Sequence, residues 1–448
     1  SYQEIVCEFE NWSVDAEGAH LLFMCGDFKG TTILKKIEVY DGYLQSNEKW
    51  TVVGDESLLK ANWDVTYSIN NMRTQDGEIY TLTRSNLMLP KGTYEFKVYN
   101  NTETQESYPS SNASLEIEED AVYNVLFNFN SSTKEVTATA TKTDGIFYNY
   151  IIKGKIAEVI QNPNKYKGDI IIPEKVTHEG VEYTVTKIAD HAFSGCNLIT
   201  SISIPNTVLS IGTCAFYQCN KLTSVTIPSS VTTIGSSAFY GCSSLTSVTI
   251  SDLEAWCKIT FEDNPLSYAH HLYLNGEEIK DLVIPNTVTS ISNTAFRDCT
   301  GLTSVYIPNS ITSFGNYVFQ NCTGLTSVTI ENGLASIVLG TFSGCTGLTT
   351  MTIPNSVTSI GNCAFQGCTG LTSMNFPNSV TSIGSYAFYG CSGLSTLVLP
   401  ANLTNIAIQA FYQCSSLTSV DIPNSVETIG SQAFNGCSGL TSVTVGSG

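Results

Sequence analysis

The chain has 448 residues, 42% of them hydrophobic and only 14% charged, with a formal net charge of -19. That length holds two or three domains with a large interior, and the composition excludes a disordered, charge-solubilised chain. The acidic balance argues against binding nucleic acid or an anionic membrane by charge, and no apolar run reaches the ~18 residues of a transmembrane segment.

The chain opens on SYQE without Met, so a mature or trimmed form whose targeting segment has been removed is expected. Residues 1–47 are read as a strand-rich N-terminal segment, in which Cys7 and Cys25 either pair across strands or stay free. Residues 48–144 carry alternating runs such as TYEFKVYN, ASLEIEE, AVYNVLFNFN and KEVTATAT between turn-like stretches. Alternation of period two, broken by turn signals, predicts an antiparallel β-sandwich.

The segment from WTVVGDESLLKANWDVTYSINNM through YPSSNASLEIEEDAVYNVLFNFNSSTKEVTATA resembles the immunoglobulin-like modules of outer-surface starch-binding proteins and pullulanase-type enzymes. The resemblance implies glycan binding, a sugar stacking on an aromatic face while polar groups fix its hydroxyls. Trp63 and Asp64 in ANWD match the module's WD element and Tyr108-Pro109 its YP. Trp63, Asp64 and Tyr108 are therefore the candidate glycan-binding residues. YNNTETQES lacks the His and Trp of related modules, and a stalk or spacer with Trp63 in its core is the other expectation.

From Pro205 a refrain takes over. Pro205, Pro228, Pro285, Pro308, Pro354, Pro377, Pro400 and Pro423 lie 23 residues or a multiple apart, except across one interruption. Ser251 and Glu331 stand in the same slot where Pro is absent. A fixed period of this length means a solenoid. In LTSVTIP the β-branched residues alternate before the Pro, which predicts a half-buried strand. A second apolar pair follows, such as Val357 and Ile360, and then an Ala-Phe pair whose Phe recurs from Phe193 to Phe434. One Phe per coil is expected to stack into a spine, each worth about 1.5–3 kcal/mol of burial.

Ten of the fifteen Cys follow the Phe by three residues, from Cys196 to Cys437. Equivalent side chains of stacked coils point in parallel, so reduced, buried thiols are expected, with some disulfides as the alternative. A row of single Cys does not converge as zinc ligands must.

The pattern LxxVxIPxSVxxIGxxAFxGC resembles the BspA-like leucine-rich repeat family of bacterial surface proteins, over residues ~146–448. The resemblance implies a right-handed solenoid with a parallel sheet on its concave side. It also implies a non-enzymatic role at the cell surface or in secretion, often adhesion to host or bacterial surface proteins. FYNYIIKGKIAEVIQNPNKYKGDIIIP looks like that family's N-terminal cap, so residues 145–204 are assigned to a cap and 205–448 to the solenoid.

Two places depart from the period. Pro173 and Pro205 are 32 residues apart, and VTHEGVEYTV alternates on either side of Glu179-Gly180, a predicted β-hairpin. Residues 251–284 form an irregular repeat without an AF or GC pair. There SDLEAWCKITF places Leu253, Trp256 and Cys257 at helical spacing, and HLYLNGEEIKDLVI predicts a hairpin at Asn275-Gly276. His270 and His271 are adjacent, and adjacent strand residues face opposite ways, so an irregular packed repeat is preferred to a metal site.

The outward slot two residues before the Pro is mostly Ser or Thr, and residues 299–448 contain no Lys or Arg and three acids. Tyr306, Asn375, Val398 and Asp421 break this hydroxyl surface and are the candidate protein-binding residues of the sheet face. Tyr217, Tyr240, Tyr389 and Tyr412 follow the Phe on another face. Five His and no GxSxG, P-loop, HExxH or CxxC argue against an enzyme, and no metal or cofactor is expected. The last residues, SVTVGSG, follow a strand directly; if that end is natural, an open final coil able to pair with another molecule is expected.

Overall fold

The computed structural model describes residues 50–54, 72–74, 78–89, 91–100, 107–118, 121–142, 145–162, 165–178 and 181–446. The N-terminal segment, with Cys7 and Cys25, lies outside them. The chain is almost entirely β and divides into two compact units. One is Ser1–Lys155 with Thr177–Val181, the other Ile156–Val176 with Glu182–Gly448.

Among the described residues before 145 the first unit has seven strands: β1 Trp50–Gly54, β2 Arg73–Thr74, β3 Ile79–Leu89, β4 Gly92–Asn100, β5 Ser107–Ile117, β6 Ala121–Asn130 and β7 Val136–Lys142. They form two antiparallel sheets, β1-β4-β5 and β2-β3-β6-β7. Alternation decides which side chains meet between them. Tyr123, Val125, Phe127 and Phe129 of β6 point inward, while Leu126 is exposed. Phe96 of β4 meets Phe127 edge-on at 5.0 Å, which joins the two sheets through one core.

The second unit is a solenoid of about 11 turns. Each regular coil contributes the predicted strand before the Pro, as in Ser224–Ile227 paired in parallel with Ser247–Ile250. It also contributes a second, two-residue strand that the sequence reading left as an apolar pair. Ser359–Ile360, for example, pairs in parallel with Ser336–Ile337 and Ser382–Ile383. The ladder is short: in each of these coils one Ile is buried, between a half-buried Ser and a Gly turn. The presumed cap already supplies both ladders: Ile156–Val159 pairs with Val181–Ile188, and Lys167–Ile171 with Leu198–Ser203. The VTHEGVEYTV prediction corresponds to paired strands Lys175–His178 and Val181–Ile188, joined by the Lys175–Glu182 ion pair at 2.7 Å.

The Phe side chains stack at centroid distances of 5.1 Å from Phe193 to Phe239. The stack resumes from Phe296 to Phe434, with neighbouring rings nearly parallel. Every described cysteine is free. The ladder thiols have a task that spacing alone did not disclose: eight of the ten donate to the Phe carbonyl of the preceding coil. Cys345 reaches Phe319 O at 3.1 Å and Cys368 reaches Phe342 O at 3.1 Å. Burial pushes the thiols of Cys299 and Cys368 up to about 12.

The irregular repeat is one coil rebuilt. α1, Leu253–Lys258, is capped by Asp252, whose side chain accepts from Ala255 N, and it buries Leu253, Trp256 and Cys257. α2, Leu266–Ala269, takes the place of the Ala-Phe turn. The predicted hairpin forms, with Leu272–Leu274 antiparallel to Glu277–Glu278. Asn275 and Gly276 both have positive φ, 52° and 91°, as a tight two-residue turn requires. The irregular coil therefore supplies two ladder strands where a regular coil has one, with the hairpin turn between them. Leu272–Leu274 pairs with the coil before it, and Asp281–Val283 pairs with the coil after it.

Side chains bridge what the backbone no longer reaches. In regular coils the Phe N–H donates to the Ala carbonyl of the next coil, as Phe216 does to Ala238 at 2.7 Å. Phe239 has no such carbonyl and donates to Asp263 Oδ2 at 3.2 Å instead. On the other side, Ala295 O accepts from Trp256 Nε1 at 2.9 Å and from Asn264 Nδ2 at 3.1 Å.

Candidate functional site

The refrain's hydroxyls separate into two kinds. Thr in the slot five before the Pro donates to the backbone of the preceding coil, as Thr326 does to Thr303 O at 3.0 Å and Thr372 to Thr349 O at 3.2 Å. Thr four after the Pro does the same, Thr358 to Ala335 O at 3.2 Å. These hydroxyls hold coil to coil and are committed. The slot two before the Pro instead points to solvent.

Tyr306, Asn375, Val398 and Asp421 all occupy that outward slot and all are exposed. Strand register fixes their order along the sheet. Tyr306 lies between Val283 and Thr329. Asn375 lies between Thr352 and Val398, and Asp421 is paired with Thr444. Asn375 and Val398 are thus direct neighbours, about 4.8 Å apart in the pairing direction. Tyr306 stands three coils from Asn375. Val398 is 53% exposed and Val283 60%, so apolar surface interrupts the polar row at two places.

Tyr306 is held rather than free. Its hydroxyl donates to Glu331 Oε1 at 2.6 Å, and Asn309 N donates to Glu331 Oε2 at 3.0 Å. The Tyr306 bond, then that from Asn309, lowers the Glu331 carboxyl below its ordinary range; the same bond raises the Tyr306 phenol. Glu331 sits in a Pro slot, which the sequence shows; its reach back to Tyr306, 25 residues earlier, follows only from the coil register.

The two Tyr pairs on the other face are stacked, Tyr217 on Tyr240 at 5.3 Å and Tyr389 on Tyr412 at 4.9 Å. In the irregular repeat His271 Nδ1 contacts Glu278 Oε1 at 2.6 Å and His270 Nδ1 contacts Asp298 O at 3.1 Å. The two histidines therefore serve separate partners, and among the described residues no group of three acidic, His or Cys side chains converges on a metal position.

In the sandwich, Tyr108 is half-buried near the start of β5, before a shift in its register with β4; its peptide bond to Pro109 is cis. Its ring stacks on buried Phe129 at 5.8 Å, and Lys134 Nζ lies 5.3 Å from the ring centroid. Trp63 and Asp64 lie outside the described residues.

A solenoid of 23-residue coils with a conserved slot for Pro, Phe and Cys defines the class, and comparison agrees. The BspA type leucine rich repeat region matches in six copies over residues 174–271, 269–362 and 340–448. The chain belongs to the BspA-type leucine-rich repeat family. The Pullulanase X25 domain matches residues 51–136. A leucine-rich repeat protein from Bacteroides ovatus is 31% identical, covering 66% of this chain and 80% of its own, with a TM-score of 0.47. A leucine rich cell surface protein from Faecalibacterium prausnitzii is 24% identical, covering 70% and 96%, with a TM-score of 0.44. A pullulanase from Bacillus acidopullulyticus is 26% identical over 21% of this chain and 11% of its own, with a TM-score of 0.19. No curated protein matches. Among the described residues no helix is long and apolar enough to cross a membrane.

Proposed function

We propose that this protein is a non-enzymatic bacterial binding protein, displayed at the cell surface or secreted, whose solenoid adheres to host or bacterial surface proteins. The observation that carries the reading is the outward row. A row that is mostly Ser and Thr is interrupted at one register position by Tyr306, Asn375, Val398 and Asp421, with Val283 beside Tyr306. A protein partner buries apolar anchors inside a polar rim, and Val398 beside Asn375 supplies such a pair. Replacing Val398→Ser and Asn375→Thr restores the refrain without touching the core. On an array of matrix glycoproteins and bacterial surface proteins the unaltered chain should bind saturably and the double variant at least about tenfold more weakly, a loss of ~1.4 kcal/mol. An array on which the unaltered chain binds nothing ends the proposal.

A second reading is glycan capture through residues 48–144, with the solenoid as scaffold; the match of residues 51–136 to the pullulanase-type module favours it. Affinity electrophoresis in starch-containing gels should then retard the chain in a manner that Trp63→Ala abolishes. Unchanged mobility across starch and related glucans counts against it.

A further inference from the structure

A cleft of about 490 Å³ opens on the solenoid where the refrain fails at Glu331. Asn309, Glu331, Asn332, Thr352, Pro354 and Asn355 line it. Two residues here differ from their counterparts in neighbouring coils. Pro308 and Pro354 place a ring in the slot that Glu331 occupies. Glu331 instead donates its N–H to Ile307 O at 2.9 Å and turns its carboxylate towards Tyr306 and Asn309. Two residues on, Ser310 and Ser356 donate to Val288 O and Leu334 O at 2.9 and 2.8 Å. Gly333 has no side chain to repeat this, and a Cβ there would lie 2.3 Å from Asn309 O.

The lining specifies a ligand class. Asn309, Asn332 and Asn355 repeat once per coil, and each exposed amide offers both donors and an acceptor. Each Glu331 oxygen already accepts one bond and retains capacity for another. Tyr306 presents an exposed ring beside the carboxylate it holds. Residues 299–448 contain no Lys or Arg, so phosphate, sulfate or an acidic sugar finds no counter-charge in this stretch. Ile330, Ile353 and Pro354 add apolar surface beside the amides, hydroxyl and carboxylate, so the lining pairs hydrogen-bonding groups for sugar hydroxyls with a small apolar patch for a sugar's C–H face. The volume falls within the ~300–1,000 Å³ of small-ligand sites. We propose that this cleft, which borders the outward row at Tyr306 and Thr352, is a binding site for a neutral saccharide, distinct from the N-terminal module.

The test uses the full chain with maltohexaose, cellohexaose, laminarihexaose and mannohexaose as probes, read by saturation-transfer NMR and calorimetry. At least one should bind saturably. Asn332→Ala with Asn355→Ala should weaken that binding about tenfold through lost hydrogen bonds, and Trp63→Ala or Val398→Ser should leave it unchanged. Glu331→Gln keeps the Tyr306 contact and provides a second variant; it should weaken binding about threefold or more. Binding of none of the four, binding lost only with Trp63→Ala, or binding untouched by both cleft variants would each overturn the proposal. So would a matrix or surface protein whose capture depends on Asn332 and Asn355 while no hexasaccharide binds.

Discussion

Eight of the ten ladder Cys add a weak second donor to a Phe carbonyl that already accepts the backbone N–H of the Cys in its own coil, as Cys345 Sγ joins Cys322 N at Phe319 O, in a space too small for a larger side chain. Cys345→Ser keeps a donor and should be tolerated better than Cys345→Ala, which should cost about 1–3 kcal/mol of unfolding free energy in a urea titration. Native alkylation followed by mass spectrometry should label the half-buried Cys214 and Cys363 first, leaving the ladder thiols protected until the solenoid opens. Asp263 gives a different handle. Burial raises its carboxyl, against the Phe239 and Asn264 N–H groups and Arg297, which lower it. A carboxyl raised by folding contributes stability below its unfolded pKa, and that contribution is lost as pH rises through the folded value. Asp263→Asn still accepts from Phe239 but never ionises. Its melting temperature relative to the unaltered chain should therefore climb as pH rises from about 4 to 7; a flat difference would refute the assignment.

At the scale of the element, the period of 23 made the first strand, the Phe spine and the Cys row legible, because each rests on one residue type in one slot. Helix α1 was legible too, since Leu253, Trp256 and Cys257 fall on one face. The second ladder was not, because a two-residue strand has no alternation to read. Nor was the sharing of work within the irregular coil, where Asp263, Trp256 and Asn264 stand in for main-chain partners found only when coils are stacked. The same limit applies to the sites. Tyr306, Asn375, Val398 and Asp421 were visible as exceptions to a refrain, whereas the cleft at Glu331 depends on contacts across coils. Phe342→Ala, in the middle of the longer stack, should cost about 3–5 kcal/mol. Hydrogen exchange should show the loss concentrated in neighbouring coils, because each coil touches only the next.

For the molecule as a whole, the absence of Lys and Arg from residues 299–448 sets the physics of recognition there. Partners are not steered by opposite charge. Affinity for any ligand of this half, protein or saccharide, should change by less than about twofold between 0.05 and 0.5 M salt in calorimetry. A steep salt slope would move the contact to residues 1–298, which hold all 21 Lys and Arg.

The cross-coil bonds of the longer stack reach back 22, 23 or 26 residues, as Ser379 to Val357 O, Thr381 to Thr358 O and Cys391 to Phe365 O do. Every coil therefore presents to its successor the same sockets it plugs into itself, and coils are interchangeable parts. Removing Pro354 through Phe376 would join Ile353 to Pro377 in register and offer each severed bond an equivalent partner one coil earlier. Such a chain should fold with its far-ultraviolet spectrum intact and its solenoid one coil shorter. Gene duplication or loss in units of one coil can thus lengthen or shorten this protein while keeping the repeated contacts, leaving variation free to act on the coils that depart from the refrain.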